Sequence, residues 1–229
     1  MHAFPHLSLI DWLALVVFYA CWAGYAWYSE HSRSGAAGLI GTSQQYRLLW
    51  AYRMLEREVR VTDSTLIGNL VTSVSFYANT TIYIIAGLVA ALGASDKLIS
   101  FTADLPFAGA GSRELLEIKL MLVLSSFVFA YFKFTWSLRQ FNLLSILVGA
   151  APLGKTGEQE IDRYAKRLAK ANSLAGDDFN RGIRAYYFGL AASGWLIGPH
   201  VVGVLALLVL VILYRRDYRS EALAALRDH

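Results

Sequence analysis

Gly149-Ala150-Ala151-Pro152-Leu153-Gly154-Lys155-Thr156 fits the glycine-rich phosphate-loop expression, in which backbone amides cradle phosphates and the lysine reaches them. That chemistry needs a strand feeding the loop and a second buried strand ending in Asp to hold magnesium. Here an apolar helical stretch precedes the motif and no such strand is visible, so nucleotide binding is not the expectation and no cofactor is predicted. The histidines are His2, His6, His31, His200 and His229. Only His200 lies inside an apolar run, and no second histidine shares its helix, which argues against haem or a histidine metal site. Cys21 is the single cysteine, so it offers neither an intrachain disulfide nor a thiolate metal cage. No nucleophile elbow, HExxH helix or paired intramembrane carboxylates occur. Glu114, Glu117 and Lys119 are the clustered acid–base candidates, and the amphipathic end of a helix explains them more simply. A protein without catalytic apparatus is the expectation.

A second class of chemistry is passage or binding along polar groups held in a membrane. Asn69, Thr72, Ser73, Asn79, Thr80 and Tyr83 follow helical steps of three and four, so they form one stripe within an apolar segment. Such a stripe avoids lipid: it either bonds helices together or lines a wet cavity. Lys133 lies ~22 Å along a helix axis from Ile118 at ~1.5 Å per residue, near the inner edge of the hydrocarbon. It either snorkels to water or pairs with an ion. Arg139 follows on the same helix. His200 comes directly after Gly198-Pro199, where proline removes a backbone donor and a kink is expected. A hydrogen-bonded packing histidine is the simpler reading of His200.

These groups need helices to position them, and the composition supplies membrane helices. The hydrophobic share is 56% and the mean hydropathy +0.42, with the apolar residues gathered into long runs. About 20 residues of helix cross the hydrocarbon core, and in lipid every backbone group must be bonded internally. The predicted fold is all-α: a single polytopic domain, 1–229, with spans over about 7–27, 65–92, 115–137 and 185–214. The third helix is expected to continue, amphipathic, to about Leu147. Ser8 with Asp11, the trio Thr62, Asp63 and Ser64, and Ser112 read as helix-start residues. A cleaved leader is the weaker alternative for the first run, because no Lys or Arg precedes it. Between the spans, residues 43–62 and 158–174 read as basic amphipathic helices. The first carries Leu48, Ala51, Tyr52, Leu55 and Val59 on one face and Arg53, Arg57 and Arg60 on another. The second carries Arg163, Lys166, Arg167 and Lys170.

The net charge of +4 flanks the apolar runs, so a membrane surface rather than nucleic acid explains it. With four spans, the first and third connections hold eleven Lys and Arg, against six in the termini and second connection. The positive-inside rule then puts both termini outside, which leaves the basic tail misplaced. A hairpin at Gly198-Pro199 would bring the tail inside, and this alternative stays open.

Three stretches resemble a known family: Leu66-Ile67-Gly68-Asn69-Leu70 with Ser73-Val74-Ser75-Phe76; Lys133-Phe134-Thr135-Trp136-Ser137-Leu138-Arg139-Gln140-Phe141-Asn142; and Asp178-Phe179-Asn180-Arg181-Gly182 with Ala185-Tyr186-Tyr187. The chain is similar along its length to the domain of unknown function 599 proteins of bacteria and plants. The resemblance implies a polytopic membrane protein and brings no catalytic residues. The leading functional expectation is a homo-oligomeric channel or transporter in the cell (inner) membrane for an ion or small solute. The cationic residues at one membrane face favour anions. The alternative is a non-catalytic scaffold or accessory subunit that docks a partner or anionic lipid through its basic amphipathic segments.

Overall fold

Ser8 and Asp11 begin the first helix as a reciprocal capping box. The Asp11 amide donates to Ser8 Oγ (3.2 Å), while Asp11 Oδ2 accepts from the Ser8 amide (3.1 Å) and hydroxyl (2.6 Å). The computed structural model describes residues 7–31, 38–103, 112–153 and 157–227, and among these the regular structure is helical throughout. The helices are α1 (Leu9–His31), α2 (Leu39–Leu55), α3 (Val61–Gly93), α4 (Ser95–Ala103), α5 (Arg113–Gly149), α6 (Glu158–Ser193), α7 (Pro199–Tyr218) and α8 (Glu221–Arg227), with a 3₁₀ turn at Gly194–Leu196. Four segments are long and apolar enough to cross a membrane: Leu9–His31, Val61–Gly93, Arg113–Gly149 and Pro199–Leu226. The fold is therefore an all-α bundle suited to a lipid bilayer. Ser112 caps α5 by accepting the Leu115 amide (3.3 Å). Thr62, Asp63 and Ser64 lie within the first turn of α3 rather than ahead of it.

The chain divides into two compact units. The first comprises Met1–His31, Thr80–Tyr131 and Ile183–Arg215; the second comprises Ser32–Asn79, Phe132–Gly182 and Arg216–His229. In the first unit, α1 packs on α6 through aromatic rings. Phe18 meets Phe188 edge-on, Trp22 stacks on Phe188 at an interplanar angle of 9°, and Trp22 also meets Phe129 of α5. Further along α1, Asp11 Oδ1 accepts from Trp195 Nε1 (2.8 Å). Rising numbers on α1 thus meet falling numbers on α6, so the two helices run antiparallel. Trp195, just ahead of α7, lies at the Asp11 end of α1, while Leu210, Val211 and Tyr214 share an apolar pocket with Cys21, Gly24 and Tyr28, so α7 runs parallel to α1.

The chain must therefore reverse between α6 and α7. In a continuous helix, eleven residues would separate Gly194 from Leu205 by about 16 Å. Instead, a Cβ built on Gly194 would lie 2.7 Å from Leu205 Cδ1. The stretch expected as one kinked span over 185–214 is two helices folded against each other. The local chemistry explains the turn: the helix tightens to 3₁₀ at Gly194–Leu196, and Pro199 occupies the first position of α7, where its missing N–H costs nothing.

Two other boundaries differ from expectation for physical reasons. The basic segment 158–174 does not end before the last apolar stretch, since α6 is one helix of 36 residues. Its glycines do not break it because each receives a neighbouring side chain: Gly176 faces the Arg47 guanidinium, Gly182 the Phe134 ring and Gly189 the Phe127 ring. Conversely, α2 stops at Leu55, so Arg57 and Arg60 leave the helix. Arg57 donates to the buried Asp63 (2.5 Å), which also accepts from Trp50 Nε1 (2.8 Å), while Arg60 donates to the carbonyls of Ala151 and Pro152 (2.8 Å each).

In the second unit the tail joins the basic connections. Tyr46 of α2 donates to the Leu226 carbonyl (3.0 Å), and a Cβ on Gly38 would stand 2.9 Å from the Tyr218 ring. With Cys21 replaced by alanine, single cysteines at Gln45 and Arg219 should label from the same side of sealed vesicles with an impermeant maleimide. Opposite-side labelling would refute the reversal.

Candidate functional site

Asp178 of α6 is 5% exposed and accepts bonds from three side chains of the second unit. Lys133 and Gln140 stand seven residues apart on α5, about two turns, so both point to the same side. Lys133 Nζ donates to Asp178 Oδ1 (3.0 Å) and Gln140 Nε2 to Oδ2 (2.5 Å), while Arg181 adds a bond from the next turn of α6 (3.3 Å). Ser137 Oγ, between Lys133 and Gln140, donates to the Ala175 carbonyl (2.7 Å), and Tyr164 donates to the Leu147 carbonyl (2.8 Å). This polar seam fastens α5 to α6 in antiparallel register. Beside it, Phe134, Phe179 and Tyr77 of α3 make a three-ring cluster with centroids 5.5–5.8 Å apart.

Alongside the seam lies an open groove of about 1090 Å³. Six cations line it: Lys133, Arg163, Lys166, Arg167, Lys170 and Arg181. Two carboxylates, Asp162 and Asp178, face them. The α5 side is otherwise apolar, with Trp136, Leu143 and Leu147, and Leu174 follows Lys170 by one turn on α6. Asp162 bonds to Lys166 (2.8 Å) and Tyr52 (2.5 Å), which holds its carboxyl below the usual range, and the same bond pushes the Tyr52 phenol up. Elsewhere in this unit, burial raises the Asp177 carboxyl against the pull of Arg47, whose own guanidinium is shifted down by burial.

Of the polar-path residues singled out from sequence, Lys133 lines the groove, and it pairs with a carboxylate rather than simply snorkelling; Arg163, Lys166, Arg167 and Lys170 of the basic 158–174 segment line it too. Arg139 is exposed, its guanidinium 5.6 Å from the centre of the Trp136 ring. Asn69, Thr72, Ser73, Asn79 and Tyr83 are exposed and Thr80 half-buried, so the stripe faces outward. The Thr72 and Ser73 hydroxyls donate to carbonyls of their own helix, Gly68 and Asn69 (2.9 Å each). His200 is exposed at the start of α7, in the first unit, and is not a buried packing residue. The phosphate-loop pattern begins at the last residue of α5, a helix, and its Gly154-Lys155-Thr156 part lies outside the described residues.

Sequence reasoning missed Asp178 and Gln140 as site residues, and gave Arg163 and Arg167 as charges of the basic 158–174 segment without the groove they line. The first two sit inside the stretches that carry the family resemblance, but a contact across 45 or 38 residues has no spacing signature. It also missed Arg184, 4% exposed in the first unit, which donates to Ser29 Oγ and to Glu30 (3.1 Å). Its position at the lip of an apolar run made it look like the end of a polar linker.

Residues 13–222 match the model of the family described as "Protein of unknown function, DUF599". No curated protein and no solved structure matches the chain.

The seam makes Gly182 a sensitive position, because a Cβ there would stand 2.5 Å from Phe134 Cε1. Gly182→Ala is expected to cost about 1–3 kcal/mol through overpacking. Gly87→Ala, with open space around it, should gain about 0.5–1 kcal/mol from helix propensity. Thermal unfolding in mild detergent measures both, and equal effects would contradict the packing shown for Gly182.

Proposed function

We propose, from the premise that the chain belongs to the family described as protein of unknown function DUF599, that it assembles as a homo-oligomer in the cell's inner membrane. The assembly provides a path for a small solute or ion, with anions favoured. The observation that carries this reading is the outward face of α3. In its most apolar window only 17% of residues are buried, against 28% in α1 and α5. That poorly covered surface bears the side-chain amides of Asn69 and Asn79. Polar groups facing hydrocarbon without partners are costly, and intramembrane polar residues face a bundle interior or water. A second copy meeting the first α3 to α3 satisfies the amides, and several copies around an axis turn the stripes into a wet lining between chains. The preference for anions rests on charge: sixteen of the 21 Lys and Arg belong to the second unit. The positive-inside rule assigns that unit's surface to the cytoplasm.

A second reading is a non-catalytic scaffold. The exposed cations of α2 and α6, Arg53, Arg163 and Arg167 among them, favour it as a docking surface for an acidic partner.

Mass photometry in nanodiscs and ion flux in liposomes test the proposal together. The expected result is a discrete oligomer with anion flux. In Asn69→Leu with Asn79→Leu, which keeps the helix but removes the amides, flux should fall at least tenfold. A monomer with no flux for common ions would overturn the path and leave the scaffold.

A further inference from the structure

The groove between α5 and α6 has two walls of opposite character, and each excludes a class of ligand. One wall is cationic. Lys133 and Arg181 are offset by Asp178, and Lys166 by Asp162. Arg163 and Arg167 have no ion-pair partner among the described residues. They stand four residues apart, one turn, with both side chains exposed. Lys170 continues the same face of α6. Two arginine forks at this spacing suit a phosphate's oxygens, which accept several charge-assisted hydrogen bonds at once. A neutral lipid would leave this wall unanswered.

The α5 wall, with Leu174 one turn beyond Lys170 on α6, is hydrocarbon. Trp136 is 53% exposed, Leu143 51% and Leu174 43%. A small water-soluble anion would leave these unanswered. An anionic headgroup carrying acyl chains satisfies both walls.

Depth in the bilayer agrees. Helix α5 has 37 residues, about 55 Å of helix against a hydrocarbon core of about 30 Å. Its apolar part runs to Phe132, and Lys133, Arg139, Gln140 and Asn142 follow. The stretch that builds the groove therefore emerges at headgroup level, where a tryptophan such as Trp136 favours the interface.

We infer that this groove is a binding site for an anionic phospholipid, with Arg163 and Arg167 holding the headgroup phosphate and Trp136, Leu143 and Leu174 lying along the first part of an acyl chain. The site does not depend on the oligomeric path, because all its residues come from one copy.

Native mass spectrometry of the full chain, released from micelles with equimolar phosphatidylglycerol and phosphatidylcholine, tests this. The expected spectrum shows phosphatidylglycerol adducts at least fivefold over phosphatidylcholine. In Arg163→Gln with Arg167→Gln the ratio should fall to near one. Neither arginine makes an ion pair among the described residues, so the fold is kept, and an unchanged melting temperature checks it. Arg53→Gln with Arg219→Gln, which removes two exposed charges of the same unit outside the groove, should keep the preference. Three results would overturn the inference: no preference in the native protein; an equal loss in the Arg53/Arg219 variant, which marks diffuse charge attraction; or loss of the adducts to millimolar inorganic phosphate, which marks a soluble-anion site.

Discussion

A carboxylate buried in a membrane protein must be matched or it unfolds its surroundings, and Asp178 is the point at which this constraint acts on the second unit. Its oxygens accept from Lys133, Gln140 and Arg181, drawn from two helices. Removing one member of a buried charged set leaves the others desolvated and unpaired, which costs far more than the intact set contributes. Asp178 thereby fixes where α5 meets α6. The register then brings Ser137 to the Ala175 carbonyl and Phe134 to the flat side of Gly182. The same register sets the cations of α6 beside Trp136, Leu143 and Leu147 of α5 in the groove.

The first unit meets the same constraint with different groups. Arg184 is buried and answered by Ser29 and Glu30 at the end of α1. Asp11, at the other end of α1, is answered by Ser8 and by the indole of Trp195 in the 3₁₀ turn. These two contacts, with the ring stack of Trp22 on Phe188 between them, bind α1 to the antiparallel α6. The turn at Gly194–Pro199 exists because glycine lets Leu205 approach and proline starts a new helix without losing a bond. The reversal resolves the basic tail. Arg216, Arg219 and Arg227 fall in the same unit as the other basic connections, as the charge rule requires of a tail on the cationic side.

What the sequence made legible was governed by local physics. The four apolar stretches, the capping box of Ser8 and Asp11, the cap at Ser112 and the helical continuation past Lys133 all rest on hydropathy, spacing or short-range bonds. The family was legible too, through Lys133–Asn142 and Asp178–Gly182. The chain reversal was only half legible: Gly198-Pro199 announced a break, but whether a break is a kink or a turn depends on what packs against it. The groove was not legible. Its walls come from helices whose facing residues lie up to 45 positions apart, and no local pattern pairs Lys133 with Asp178. The polar stripe of α3 follows from spacing as one face, and periodicity gives a face without saying which way it turns.

The central claim is that Asp178 couples α5 to α6, and unfolding in mild detergent of Asp178→Ala beside the double replacement Lys133→Met with Asp178→Leu tests it most directly. The single variant, which strands two half-buried cations and an amide, should lose about 2–4 kcal/mol, with Lys133 and Arg181 keeping part of their hydration. The double variant, which replaces the pair by apolar groups of similar size, should recover most of that loss. A loss below about 0.5 kcal/mol in the single variant, the range of ordinary surface changes, would contradict the account.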